Sequence, residues 1–119
     1  MRTSSRFRIY RDARKRLGTA YPLAFPPKGK RPPLKVGVIR EIAGDGSHGL
    51  TVRKVRVFLS IWTRSSAYLE AVAREGTRRG LDGSPAGTVD PAHAADAARV
   101  LAERRGRKAA GAMDSRRGR

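Results

Sequence analysis

The stretch Trp62-Thr63-Arg64-Ser65-Ser66-Ala67-Tyr68-Leu69 joins two segments of helical periodicity and holds the only tryptophan of the chain. Upstream, Thr51 is suited to cap a helix, with Leu50 and Val55 placed to close a hydrophobic staple over its first turn. Val52, Val55, Phe58, Leu59 and Trp62 then fall on one face, which leaves Arg53, Lys54 and Arg56 as a basic ridge toward solvent. Downstream, a shorter helix is predicted to begin at Ser65 or Ser66, to turn Leu69, Val72 and Ala73 inward, and to end at Gly76. Tyr68 fits either face. A helix start exposes amides that attract phosphate, so Thr63, Ser65 and Ser66 beside Arg64 are suited to a nucleic-acid backbone. Ser and Thr commonly begin helices without binding anything, so for this stretch taken alone the structural cap is the first reading.

Outward from this corner the elements follow from local signals. Phe7, Ile9 and Leu17 suit a short helix that breaks at Gly18-Thr19. Tyr21-Pro22-Leu23-Ala24-Phe25 is an apolar anchor, and the basic loop that follows, through Pro33, is too rich in proline for regular helix. Leu34, Val38 and Ile42, with Ile39 beside them, recur at helical spacing between Pro33 and Gly44, so a helix is predicted over 33–43. Residues 77–89 switch to strand and turn signals centred on Asp82-Gly83, predicted as a small hairpin. Asp90-Pro91 opens a last helix whose stripe, Ala94, Ala95, Ala98, Leu101 and Ala102, is expected to run to about Arg105. Residues 106–119, where glycines are scattered among Arg, Lys and Ala, are expected to be a disordered basic tail.

Composition narrows the function. The 119 residues carry 27 Lys and Arg against 10 Asp and Glu, a net charge of +17, which calls for a polyanionic partner. Residues 1–40 carry a net +11 and residues 99–119 a net +6, whereas residues 41–98 are neutral. Charge at the two ends neutralises phosphate and sets salt dependence, so shape or sequence recognition falls to the middle. There is no cysteine, and hence neither a disulfide nor a thiolate metal site. No apolar run reaches the roughly 20 residues of a membrane span and the basic start has no apolar segment after it, so a cytoplasmic, monomeric protein is expected, with no membrane partner.

Catalytic chemistry finds little support. Gly44-Asp45-Gly46-Ser47-His48-Gly49 has the letters of a dinucleotide-binding loop, but that loop needs a strand before it and a second parallel strand after, and a flexible link between helices is the better reading. His48 and His93 have no patterned metal-ligating or catalytic partner and are expected at the surface. Ser65 and Ser66 lack a nucleophile elbow or a base. No enzyme, cofactor, small-molecule substrate or metal is expected. The two helices about Trp62 also allow a DNA-binding helix-turn-helix, although Ala67–Ala73 offers no arginine or amide for base edges. Hydroxyls and amides beside a tyrosine suit RNA or a single-stranded end better.

Four strings, taken in order, resemble the ProQ/FinO domain: Tyr21-Pro22-Leu23-Ala24-Phe25, Pro33-Leu34-Lys35-Val36-Gly37-Val38, Trp62-Thr63-Arg64-Ser65-Ser66-Ala67-Tyr68-Leu69, and Gly76 through Gly87. The resemblance covers about residues 17–105, flanked by an N-terminal basic extension, 1–16, and the tail from 106. It implies a mostly α fold with a small β-hairpin (α+β), and an RNA chaperone binding structured RNA, typically a terminator-like stem with a single-stranded 3′ tail. It further implies small regulatory RNAs and mRNA 3′ ends as partners. By the same resemblance Lys35, Arg56, Tyr68 and Arg78 lie on the RNA-binding concave face, with Tyr68 and Arg78 at the 3′ end and Thr63, Ser65 and Ser66 gripping a phosphate. Ser60, Ala67 and Gly80 depart from the pattern; at Ser60 members often carry Arg or Lys.

Overall fold

In the computed structural model of the chain, which describes the backbone of residues 5–117 and side chains as far as residue 111, Thr51 caps a helix as expected. Its hydroxyl accepts the Lys54 amide at 3.3 Å, and helix α3 (Val52–Trp62) follows. Four further helices are described: α1 (Ser5–Ala20), α2 (Val38–Gly44), α4 (Ser66–Ala73) and α5 (Pro91–Arg117). An antiparallel hairpin of β1 (Thr77–Arg79) and β2 (Pro85–Thr88) lies between α4 and α5. The α+β class expected from the sequence is the one observed.

Aromatic residues from three segments form the centre of the core. Tyr10 of α1 stacks on Phe58 at 5.3 Å between centroids, Phe58 stacks on Trp62 at 5.4 Å, and Phe25 meets both edge-on. Such edge-to-face and offset pairs add directional preference to the area they bury. Helix α1 packs on α3 and α4 on α5, and Tyr10, Ala13, Leu17, Tyr68, Val72, Ala94 and Ala97 all belong to the same buried cluster. The corner between α3 and α4 therefore ties the two helix pairs together.

Several elements differ from expectation. Helix α1 runs through Gly18-Thr19 to Ala20, and its core face is Ala13 and Leu17 while Phe7 is 54% exposed. The expected boundary at residue 17 thus falls inside a helix; residues 1–4 of the extension lie outside the described residues. The helix expected over 33–43 is confined to Val38–Gly44, because Gly37 sits at φ 82° and Leu34 is drawn into a parallel bridge with Arg79. Val52 is exposed. On α5 the buried stripe is Ala94, Ala97 and Leu101, with Ala95, Ala98 and Ala102 outside. That helix continues past Arg105 to Arg117, so the segment expected as a disordered tail is helical as far as that residue. Among the described residues no helix is long and apolar enough to cross a membrane.

The glycine loop after α2 is a short 3-10 turn, Gly46–His48, preceded by a helix rather than the strand that dinucleotide binding requires. His48 is 5% exposed, not a surface residue. Its Nδ1 accepts the Leu50 amide at 2.9 Å, so Nε2 carries the proton and donates to the Ile42 carbonyl at 2.7 Å. Gly83, at φ 82°, supplies the turn of the hairpin.

Candidate nucleic-acid interface

The start of α4 is built around one hydroxyl. Ser65 Oγ accepts the Tyr68 amide at 3.3 Å, accepts the Arg31 guanidinium at 3.1 Å, and donates to the Trp62 carbonyl at 2.8 Å. A hydroxyl has one proton and two lone pairs, so this one is fully used. The cap and the cation are thus joined in a single network. Arg31 lies 3.7 Å from the centroid of the Trp62 ring, a cation–π contact on an indole that is completely buried. The Trp62 Nε1 proton is the only buried side-chain polar group among the described residues that lacks a hydrogen-bond partner. Ser66 Oγ accepts from Arg104 of α5 at 3.1 Å, and exposed Arg64 stands in the link just before the cap. Thr63 closes the preceding helix, its hydroxyl donating to Leu59 at 2.7 Å. With the Tyr68 amide taken by the Ser65 cap, the amides of Ser66 and Ala67 are the two at the α4 start left for an anion.

A second cluster surrounds the peptide of Leu34. Its amide donates to the Tyr68 hydroxyl at 3.0 Å, and its carbonyl accepts Arg78 at 2.7 Å. The flanking groups complete a short ladder on β1: the Arg79 amide donates to the Pro33 carbonyl and the Lys35 amide to the Arg79 carbonyl, both at 2.8 Å. The other arm of the Arg78 guanidinium lies 3.4 Å from Nδ1 of His93, which is exposed at the start of α5. Tyr68 is 7% exposed, so its ring faces are occupied by the core. What it can still offer a ligand is the hydroxyl proton, because that oxygen accepts from Leu34 without donating to it. Lys35 pairs with Glu41 at 3.1 Å on one side of a cavity of about 550 Å³ beside the hairpin turn.

The structure therefore brings Ser65, Tyr68 and Arg78 into one connected network, with Ser66 and Arg64 at its edge. Arg53, Lys54 and Arg56 stay apart from it, exposed along the first half of α3. Arg56 is six residues before Trp62, about 9 Å along the axis. Sequence reasoning missed Arg31 and Arg104, because each reaches the corner from a distant segment, 34 and 38 residues away. It also missed Arg6, whose guanidinium donates to Ser60 Oγ at 2.7 Å across 54 residues. That hydrogen bond delivers a cation where α3 itself carries a hydroxyl. Chemically the site is an array of donors and positive charge: it can hold an anion, and among the described residues no group of His, Cys, Asp or Glu side chains is assembled to hold a metal.

Fold and site define a small, strongly basic, mostly helical domain whose donors converge at one helix start. Its sequence matches the ProQ/FINO family over residues 10–113, and the chain belongs to that family. A solved structure described as a FinO-like RNA chaperone from Neisseria meningitidis has the same fold, with a TM-score of 0.65 at 21% identity over 76% of this chain and 92% of that one. The match from residue 10 includes most of α1, in agreement with its place in the core.

Proposed function

We propose that this protein is an RNA-binding RNA chaperone that recognises hairpins carrying a single-stranded 3′ tail, among them small regulatory RNAs and mRNA 3′ ends. The observation that carries this reading is the α4 start, where the Ser66 and Ala67 amides lie beside Arg31, Arg64 and Arg104. Such a corner suits the phosphates of a strand end, which can enter a recess that a continuous duplex cannot. Tyr68 and Arg78 would then act at the same end of the strand, Tyr68 through its hydroxyl rather than by stacking, with Lys35 beside β1. Arg53, Lys54 and Arg56 would track the stem backbone, adding affinity with little sequence preference. Membership of the ProQ/FINO family supports RNA as the polyanion. A helix-turn-helix reader of DNA is disfavoured by α4, whose exposed positions include Ser66 and Glu70 but no base-reading cation or amide.

The test is a titration of a stem-loop with its 3′ tail intact, removed, or ended in a phosphate, with double-stranded DNA as competitor. Affinity is expected to fall at least about tenfold when the tail is removed, the scale of one or two charge-assisted hydrogen bonds. Equal affinity for a blunt duplex would sink the idea.

A further inference from the structure

We infer that the groove between the first turn of α1 and the α3–α4 corner is a second subsite for the same RNA strand, taking one unpaired base next to the segment held at α4. This inference rests on the RNA-binding reading above. Arg6, Phe7, Ser60, Ile61, Arg64 and Ser65 line the groove, which has a volume of about 400 Å³, within the range of small-ligand sites. Phe7 and Ile61 make its apolar part, and the half-exposed Phe7 ring offers a surface on which a base of any identity can stack. Two guanidiniums stand at its rim, Arg6 held by Ser60 at 2.7 Å and exposed Arg64, and no acidic residue lines it. Apolar lining with a purely cationic rim matches a nucleotide, base inward and phosphate outward, better than it matches an apolar peptide.

Position along the strand follows from continuity. Ser65 belongs both to this groove and to the cap network of α4. On α3, Arg53, Arg56 and Ser60 are spaced to share one face, and Arg6 places its charge on that face at Ser60. The basic face of α3 therefore leads toward Arg6, the groove and the corner. The base in the groove would be the one between the stem and the nucleotide at α4.

The experiment uses the full chain and a stem-loop with a short 3′ tail in which single tail positions carry 2-aminopurine. Phe7→Ala is expected to weaken binding of the tailed hairpin by about 5- to 100-fold, the range seen on removing one stacking platform. It should also relieve fluorescence quenching at one tail position. Phe7→Trp should retain both affinity and quenching, and Arg6→Ala should weaken binding while leaving the quenching in place. Unchanged affinity and quenching in Phe7→Ala, with the wild type still preferring tailed over blunt hairpins, would overturn the subsite alone. A wild type with no such preference would overturn the RNA reading and the subsite together. If Phe7→Ala left RNA binding intact but dissolved a dimer seen by sedimentation, the groove would belong to a second copy of the chain, which also overturns the proposal.

Discussion

At the residue scale, Tyr68 shows how one side chain carries two duties. Its ring is buried in the core, and its oxygen satisfies the amide of Leu34, whose carbonyl in turn holds Arg78. Tyr68→Phe keeps the ring and deletes the acceptor, which leaves a buried amide unpaired at a cost of about 1–3 kcal/mol. The expected result is a lower Tm together with faster hydrogen exchange at the Leu34 amide, and weaker binding of the tailed hairpin because Arg78 loses its fixed carbonyl. A variant as stable as the wild type with slow exchange at Leu34 would contradict this account. Ser65 has the same double character, since the atom that caps α4 also holds Arg31. The choice between structural cap and phosphate grip is thereby recast: the hydroxyl is the cap, and the amides and cations it organises are what an anion would meet.

At the scale of elements, the end of α1 is tied to the loop after α2 by a hydrogen bond from the Tyr21 hydroxyl to the Asp45 carboxylate. The bond from Tyr21, with further donation by Ser47, draws the Asp45 carboxyl down to about 2. Burial and the neighbouring carboxylate push the Tyr21 phenol up to about 12. A depressed carboxyl contributes stability above its unfolded value near 4 and loses it as pH falls toward 2; a raised phenol contributes below about 10 and loses it as pH rises toward 12. The link is thus intact between about pH 4 and 10. Asp45→Asn should lower Tm by a constant amount across that window, and the gap to wild type should close toward pH 2, as read from thermal melts at graded pH. A gap unchanged down to pH 2 would show that the carboxylate does not stabilise the fold.

Capping was the most legible feature at this scale. Thr51, Ser65 and Asp90 each bond an amide within three residues, so the pattern is complete in a few letters of sequence. The segment from Leu34 to Ile42 was misleading for the opposite reason. Its spacing is helical, but the Leu34 peptide pairs with Tyr68, and with Arg78, 44 residues away, and those bonds hold it extended. On α5 the choice among several alanines was open to one residue of rotation until packing buried Ala94 and Ala97.

At the scale of the whole molecule, the neutral middle of the sequence is not neutral where it matters. Arg6, Arg31 and Arg104, drawn from the two charged ends, are carried to the α3–α4 corner and the last turn of α3 before it. Helix α5 outlasts the core: its last buried residue among the described side chains is Leu101, and the helix continues 16 residues further, about 24 Å, to Arg117. This extension and the residues after it carry Arg105, Arg107, Lys108, Arg116, Arg117 and Arg119. Deleting residues 106–119 should flatten the dependence of affinity on salt, by about 0.7–0.9 in logarithmic slope for each phosphate no longer neutralised, while preserving the preference for a tailed hairpin. Salt titrations of both RNAs with full-length and truncated protein measure this; a truncation that abolished the preference would place recognition in the extension instead.

Composition, caps and the ordered motifs around Trp62 were enough to specify a basic, mostly helical RNA-binding class with a hairpin, because charge, helix starts and turns depend on residues close together in the chain. The ring of guanidiniums at the α4 start, the extended Leu34 peptide and the Phe7 groove came only with the folded molecule. Each is assembled across 34 or more residues, and such pairings are set by how the helices pack and not by any local preference.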